Sequence, residues 1–180
     1  MATIRRFQPN DLLRFNAVNV DKLTETYNLG FYYTYLTQHP DIQVVVTSPS
    51  DQVIAYMLSK IEGPVPHHHG HLSAVTVAPT HRRLGLAARL LASLEATCES
   101  PTVRATFVDL YVRVGNAVAI DMYRRFGYVA HRVIRGYYTG GEERRGRGDA
   151  LDMRKGLAWG RPPVEMEGGD VHARELFLSL

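Results

Sequence analysis

The stretch from Val75 to Cys98 constrains the fold more than any other part of this 180-residue chain. It reads VTVAPTHRRLGLAARLLASLEATC, which predicts the end of a strand, a short turn over 78–80 and then a long helix. Apolar residues recur in it at helical spacing and predict one buried helix face, made of Leu84, Ala87, Leu91, Leu94 and Cys98. The middle of the chain is therefore predicted as a strand, a turn and a helix in succession.

The predicted start of this helix has the composition of an anion-binding site. Arg82 and Arg83 lie there, although the positive end of the helix dipole disfavours cations. Gly85 keeps the backbone open to close approach, and the first turn contains no carboxylate. Free N–H groups beside two arginines favour a bound anion, and a pyrophosphate fits that description.

The composition is that of an ordinary globular protein, with 45% hydrophobic and 22% charged residues. The net charge of +3 gives no reason to expect specific nucleic-acid binding and is compatible with an anionic cofactor. A single cysteine excludes an internal disulfide and indicates a reducing compartment. The N-terminus, MATIRRFQPNDLL, has no apolar signal core, and no stretch approaches the roughly 18 apolar residues of a membrane span. We therefore expect a cytoplasmic location without membrane contact.

Periodicity along the chain predicts an α/β (α+β) fold of one domain. Seven strands are predicted, over 2–7, 42–47, 52–61, 70–77, 107–114, 128–135 and 150–154. About four helices are predicted: one through Leu12, Phe15 and Val18, one over 30–38, the long helix, and one over 116–126. This order predicts a mixed sheet with helices on both faces. The domain is predicted over 1–157, and 158–180 is predicted as a poorly ordered tail because its prolines and glycines interrupt every pattern.

The segment Arg82-Arg83-Leu84-Gly85-Leu86-Ala87 resembles the Arg/Gln-x-x-Gly-x-Gly/Ala motif of the GNAT acetyltransferase superfamily. Its setting resembles that family too, because it follows a strand, opens a helix, and is succeeded by a strand, Asn116 and a helix that contains Tyr123. The resemblance implies the GNAT fold, with a mixed seven-stranded sheet and about four helices. It also implies acetyl-coenzyme A as the co-substrate, with its pyrophosphate on the loop and helix start.

Further segments resemble the catalytic subunits of NatB-type N-terminal acetyltransferases over residues 1 to about 157. They are 21–27 (DKLTETY), 69–71 (HGH), 108–114 (VDLYVRV), Tyr137-Tyr138 and 152–155 (DMRK). Leu151 and Tyr111 depart from that family's usual residues. The resemblance implies acceptors that begin Met-Asp, Met-Glu, Met-Asn or Met-Gln. It also implies a large auxiliary subunit that docks the enzyme to nascent chains at the ribosome, with the first helices and the tail as contact surfaces.

Given this resemblance, the chemistry assigns roles to individual residues. Cofactor contacts are expected from Val75, Val77, Arg82, Arg83, Leu84, Gly85, Leu86, Ala87, Asn116 and Tyr123. Tyr123 is the candidate acid near the leaving sulfur, and His71 or Tyr138 the candidate base. Acceptor contacts are expected from Glu25, Tyr27, His71, Ser73, Tyr137 and Tyr138. In particular, the period of two places His71 and Ser73 on one face of their strand, where an imidazole and a hydroxyl suit an acidic or amide side chain.

Several other interpretations stay open on the sequence alone. Arg82 and Arg83 also fit an ordinary surface helix, Tyr123 a core position and Glu25 a solvated loop. A metal site at His67-His68-His69 and His71 is disfavoured, because no cysteine or carboxylate partner lies nearby in the sequence. The rival functions are a GNAT enzyme for a small amine or an internal lysine, and an inactive subunit that binds acetyl-coenzyme A.

Overall fold

The chain folds around one mixed β-sheet. The computed structural model describes residues 2–20, 24–64, 68–138 and 148–160 in full, and residues 170–172 as backbone. The strands are β1 (Thr3–Arg6), β2 (Val44–Thr47), β3 (Val53–Glu62), β4 (His69–Val77), β5 (Phe107–Arg113), β6 (Val129–Arg135), β7 (Ala150–Gly156) and β8 (Asp170–His172). Their order across the sheet is β1-β2-β3-β4-β5-β7-β6-β8. Neighbouring strands are antiparallel except for β4 with β5 and β6 with β8. The seven predicted strands and the mixed sheet are therefore confirmed.

Three α-helices cover the sheet: α1 (Leu29–Gln38), α2 (Leu86–Cys98) and α3 (Ala117–Arg125). The side chains of α2 pack into one apolar cluster with Met57, Leu72 and Leu110, whereas Tyr32, Tyr35 and Leu36 of α1 belong to a second cluster. The buried face of α2 is formed by Leu86, Leu90, Leu91, Leu94 and Cys98. The predicted face was wrong at its start, because Leu84 lies before the helix and is 65% exposed, and Ala87 is only half-buried.

The first predicted helix is not an α-helix. The chain instead forms two 3-10 turns, Pro9–Leu13 and Asn16–Val18, although Leu12, Phe15 and Val18 are buried as their spacing predicts. The carboxylate of Asp11 accepts hydrogen bonds from both guanidinium ends of Arg5 at 2.7 Å and from the Gln8 backbone N–H at 2.9 Å. These contacts attach the short turn to β1.

The start of the predicted tail is attached to the end of α2. Ala158 N–H donates to the Glu99 carboxylate at 3.1 Å, and the Trp159 indole donates to the Glu99 carbonyl at 2.8 Å. Residues 170–172 form β8, which pairs in parallel with β6 and which the sequence did not predict. The rest of the predicted tail, 161–169 and 173–180, lies outside the described residues.

Candidate active site

The sheet opens at its centre because β4 and β5 separate. The two strands pair from His69 with Phe107 to Leu72 with Leu110, and no further. On the other side of β4, two consecutive residues of β3, Leu58 and Ser59, pair with Ala74 and Leu72. Ser73 between them has no partner in β3 and is the extra residue of a β-bulge. A bulge bends its strand and increases its twist. The edge of β4 that faces β5 therefore loses its strand partner over 73–77.

A cavity of about 550 Å³ fills this opening. Its size lies in the range that holds small ligands and cofactors. Its walls come from β4, β5, the start of α3, the segment before α1 and the connection after β6. The lining residues are Thr24, Glu25, Tyr27, Leu72, Ser73, Ala74, Val75, Thr76, Leu110, Tyr111, Val112, Arg113, Val114, Gly115, Asn116, Ala119, Met122, Tyr123 and Tyr138. The cavity thus gathers residues from five separate stretches of the chain.

The loop between β4 and α2 has the backbone of an anion site. Helix α2 begins at Leu86 with Gly85 as its N-cap, so Arg82 and Arg83 lie in the loop and not in the helix as predicted. Arg83 (φ 64°) and Gly85 (φ 74°) are both left-handed, and such alternation is typical of concave surfaces lined by N–H groups. The Arg82 Nε donates to the Val77 carbonyl at 3.3 Å and attaches the loop to the end of β4. The first turn of α2 contains no acidic residue. These features fit a diphosphate.

Two of the predicted cofactor contacts lie on α3. Asn116 is its N-cap, with the side-chain oxygen accepting from Ala119 N–H at 3.2 Å, so the amide NH₂ is the part that remains for a ligand. The Tyr123 hydroxyl makes no hydrogen bond within the part of the chain that the structure describes. Burial raises the pKa of Tyr123 above its ordinary value. The phenol is therefore protonated at neutral pH and faces a cavity in which it can donate.

A bridge of three side chains crosses the side of the cavity that Glu25 and Tyr138 line. The Arg113 Nε donates to the Glu25 carboxylate at 2.6 Å, and the Arg113 guanidinium lies 4.0 Å from the centre of the Tyr138 ring. The Tyr138 hydroxyl donates to the Tyr111 carbonyl at 3.3 Å. Burial, and secondarily the neighbouring Tyr137, raises the pKa of Tyr138. Tyr138 is therefore a hydrogen-bond donor at neutral pH, which disfavours it as the base.

A polar group on β4 and β5 borders the same side. The Nδ1 of His71 lies 2.8 Å from Oδ1 of Asp109, whose side chain is only 4% exposed. Ser73 shares a hydrogen bond of 2.6 Å with the Tyr35 hydroxyl, and its carbonyl accepts from the Tyr27 hydroxyl at 3.5 Å. His71 itself does not line the cavity, but its ring contacts that of Tyr111, which does, at 5.0 Å between centroids.

The structure places seven of the sixteen predicted site residues on the wall of this opening. Val75, Asn116, Tyr123, Glu25, Tyr27, Ser73 and Tyr138 line the cavity. His71 and Tyr137 do not line the cavity but contact Tyr111, which does, whereas Val77 and the residues 82–87 are not among the lining residues. The sequence reasoning gave no role to Asp109, Arg113 and Tyr35. The first two could have been found, because they are charged residues in a strand whose alternate positions are apolar.

The histidines named as possible metal ligands are only partly covered by the structure. His67 lies outside the described residues, and among the residues that the structure describes no three His, Cys, Asp or Glu side chains form a group that could hold a metal ion. His69 stacks on Phe107 with 4.6 Å between ring centroids.

Comparisons with known proteins agree with the fold and the loop. The model of the acetyltransferase (GNAT) family matches residues 11–128. The N-terminal acetyltransferase B complex catalytic subunit NAA20 of Arabidopsis thaliana is 48% identical over 158 residues, which are 88% of this chain and 87% of that protein.

Solved structures give the same result. Chaetomium thermophilum Naa20 in complex with a bisubstrate analogue matches with a TM-score of 0.87 at 36% identity, over 97% of this chain and 98% of that one. A chain of the NatB acetyltransferase complex bound to CoA and MES matches with a TM-score of 0.74 at 37% identity, over 86% of this chain and 99% of that one. These matches confirm the resemblance inferred from the motif at 82–87. The chain therefore belongs to the acetyltransferase (GNAT) family and is an N-terminal acetyltransferase that resembles the catalytic subunits of NatB complexes.

Proposed function

We propose that this chain acetylates the N-terminal amine of nascent peptides that begin Met-Asp, Met-Glu, Met-Asn or Met-Gln, by direct transfer in a ternary complex. The observation that carries this proposal is the cavity of about 550 Å³ at the separation of β4 and β5. β4 leads from it into the anion-binding loop, while Glu25, Tyr27 and Tyr138 form its other side. A donor and an acceptor that enter from these two sides meet in one space, which favours transfer without a covalent enzyme intermediate.

Acetyl-coenzyme A supplies the acyl group. The N–H groups of 83–87, together with Arg82 and Arg83, would hold its pyrophosphate by charge-assisted hydrogen bonds. The unpaired edge of β4 over 73–77 offers backbone groups beside the acyl chain, and the amide of Asn116 offers a further donor. These residues hold and orient the donor, and the apolar wall of Ala119 and Met122 excludes water around it.

The transfer itself requires modest help from side chains. The acceptor's α-ammonium loses one proton, and the neutral amine forms a C–N bond to the acetyl carbon. The C–S bond then breaks with its electron pair on sulfur, and the nitrogen loses a second proton, which balances the one that the sulfur takes up. An α-amino group has a pKa of about 7.7–8, so a sizeable fraction is already neutral at physiological pH. His71 is the proposed acceptor of that proton, and Tyr123, which is protonated, is the proposed donor to the sulfur.

Recognition of the second acceptor residue would use hydroxyl and imidazole groups on β4. Carboxylate and carboxamide side chains share one feature, an oxygen that accepts hydrogen bonds. Ser73 and Tyr35 lie 2.6 Å apart beside the cavity, and the Tyr27 hydroxyl is within 3.5 Å of the Ser73 carbonyl. Such hydroxyls suit an acid and its amide alike, whereas an apolar second residue could not accept a hydrogen bond from them.

An auxiliary subunit would dock on the segments before and within α1. Leu13 (82% exposed), Val20 (72%) and Leu29 (61%) present large apolar side chains to solvent on these segments. A contiguous apolar patch marks a protein contact, and we propose that these side chains contribute to one. Relatives of known structure belong to NatB complexes, and we propose the same assembly here, in the cytoplasm at the ribosome.

The test is a comparison of kcat/KM for peptides that begin Met-Asp, Met-Ala and Ser-Ala, with the chain co-expressed with its auxiliary subunit. The Met-Asp peptide should exceed the others by about tenfold or more, because a hydrogen bond to a charged group contributes about 1.5–3 kcal/mol. Ser73→Ala should reduce this preference. Ser93→Ala is the matched control, because that hydroxyl bonds only within α2, to the Leu90 carbonyl at 2.7 Å. Equal values for all three peptides would overturn the proposal.

A further inference from the structure

We propose that Asp109 is a positioning residue for the reaction: its carboxylate holds the His71 ring in the tautomer whose Nε2 lone pair accepts the proton of the acceptor amine. This inference rests on the proposed function, because it requires the acceptor amine in the cavity. It adds a residue that makes no contact with either substrate and acts only through His71.

The geometry fixes which ring nitrogen carries hydrogen. His71 and Asp109 are direct neighbours in the parallel pairing of β4 and β5. Their side chains are 10% and 4% exposed, and the distance from Nδ1 to Oδ1 is 2.8 Å. An ionised carboxylate can only accept hydrogen bonds, so Nδ1 must be the nitrogen that donates. In the neutral ring, Nε2 then carries the lone pair.

Asp109 is ionised despite its burial. Burial raises the pKa of its carboxyl, but the hydrogen bond from His71 and the charges of His69 and Arg154 outweigh that effect, so the pKa lies below its ordinary value. The other oxygen of Asp109 lies 4.0 Å from His69 Nε2, which is too long for a hydrogen bond. His71 is therefore the group on which the carboxylate acts most directly.

The Nε2 of His71 is open to approach. It makes no hydrogen bond within the described residues, and no fully buried polar side-chain atom there lacks a partner. Nε2 therefore retains solvent-accessible surface. The His71 ring packs against Tyr111, and Ser73 lies two residues further along β4. Tyr111 and Ser73 both line the cavity. His71 thus lies next to two residues of the cavity wall, and the proton of the acceptor amine would reach Nε2 directly or through one water.

The proton balance is simple. Nε2 takes one proton from the α-ammonium, the amine attacks the acetyl carbon, and Nε2 then releases that proton to solvent. The second proton, which the nitrogen loses as the amide forms, replaces the one that Tyr123 gives to the sulfur. Asp109 keeps its charge and the Nδ1 hydrogen stays on the ring throughout. The same division of work, in which a buried aspartate orients a histidine base without being protonated, operates in serine protease triads.

The variant that tests this is Asp109→Asn, which keeps the shape but brings an NH₂ group that can donate to Nδ1 and favour the other tautomer. We expect kcat to fall by about tenfold or more, with the KM for acetyl-coenzyme A unchanged. Asp11→Asn is the matched control, because the Asp11 side chain is 3% exposed and paired with Arg5 far from the cavity. It should lose stability and keep kcat. An Asp109→Asn enzyme with full kcat would overturn the inference.

Two further measurements separate orientation from general structural damage. In a His71→Ala background, Asp109→Asn should cause no additional loss of kcat; an undiminished loss would refute the inference. Nitrogen-15 NMR of the ring in the unmodified chain should show hydrogen on Nδ1 of neutral His71, and hydrogen on Nε2 would refute it without any variant. The kcat values of all variants are measured with the peptide that the unmodified enzyme acetylates fastest. A lack of preference for Met-Asp would therefore refute the proposed function while leaving this test intact.

Discussion

Replacement of Tyr123 by phenylalanine separates a catalytic hydroxyl from a structural one. The Tyr123 side chain is 8% exposed and packs against Tyr128 with 5.9 Å between ring centroids, so the ring fills core volume that phenylalanine would also fill. The hydroxyl has no hydrogen-bond partner in the described residues and belongs to a residue that lines the cavity. Its removal should therefore leave the fold intact and affect only the reaction.

The expected magnitudes differ clearly. Because no protein hydrogen bond is lost, the free energy of unfolding should change by less than about 0.5 kcal/mol. Loss of a positioned general acid typically slows a reaction by about 10²-fold or more, which corresponds to about 2.7 kcal/mol or more in the activation barrier. The KM values for peptide and acetyl-coenzyme A should stay near those of the unmodified enzyme, because the hydroxyl acts on the leaving sulfur and not on the bound ground state.

Tyr128→Phe is a control with the opposite pattern. Tyr128 is 1% exposed, does not line the cavity, and its hydroxyl donates to the Glu95 carboxylate at 3.1 Å. Its removal should destabilise the fold by about 1.5–3 kcal/mol, because the hydrogen bond is to a charged group. At about 2–4 °C per kcal/mol, the melting temperature should fall measurably while kcat is retained.

The assay pairs steady-state kinetics on a Met-Asp peptide with thermal unfolding, for both variants and the unmodified chain. If Tyr123→Phe retained full kcat, Tyr123 would have no part in the mechanism. If both variants lost stability equally, the conclusion that the Tyr123 hydroxyl has no structural partner would be wrong.

Three further predictions concern the loop, the core and pH. Arg83→Ala should raise the Kd for acetyl-coenzyme A by about fivefold or more in calorimetry, because one charge-assisted contact is lost, whereas Arg124→Ala on the exposed face of α3 should not change it. Gly70→Ala should destabilise the fold by about 1–3 kcal/mol, because the new methyl group would meet the Cys98 sulfur. Cys98→Ala in the same chain should restore part of the lost stability. If the two substitutions had additive effects on the free energy of unfolding, this contact would be ruled out as the cause. Burial raises the pKa of the Asp11 carboxyl, but its hydrogen bonds with Arg5 and Gln8 outweigh burial and lower that pKa. The ionised Asp11 therefore stabilises the fold above the ordinary pKa of about 3.9, and this stabilisation is lost as the pH falls below that value. The difference in unfolding free energy from Asp11→Asn should therefore shrink below about pH 4, and a constant difference would contradict the assigned shift.

The periodicity of the sequence was enough to predict the seven main strands and three of the helices. Buried residues recur at every second position in these strands and at every third or fourth position in these helices, and the side chains pack according to that pattern. The two 3-10 turns carry the same apolar spacing as a helix through Leu12, Phe15 and Val18, so periodicity could not distinguish them. β8 has only three residues and depends on pairing with β6, a distant segment, which no local pattern reports.

The site was predictable where it depends on local chemistry. The arginines and Gly85 before α2 indicated an anion site, but the helix start was misplaced by several residues because Gly85 acts as a left-handed N-cap. The bulge at Ser73 and the separation of β4 from β5 depend on the register of three strands, which is a property of the folded sheet. For the same reason Asp109 and Arg113 acquired roles only when β4 and the segment before α1 were placed beside β5.

We expect the acetyl group to go to the α-amine at a peptide's N-terminus. Tandem mass spectrometry can locate the acetyl group on a peptide that begins Met-Asp and carries a lysine further along. The cavity between β4 and β5, with Glu25 and Tyr138 at its acceptor side, predicts acetylation at the N-terminal methionine and none at the lysine. Acetylation of the lysine side chain at a comparable rate would contradict the account.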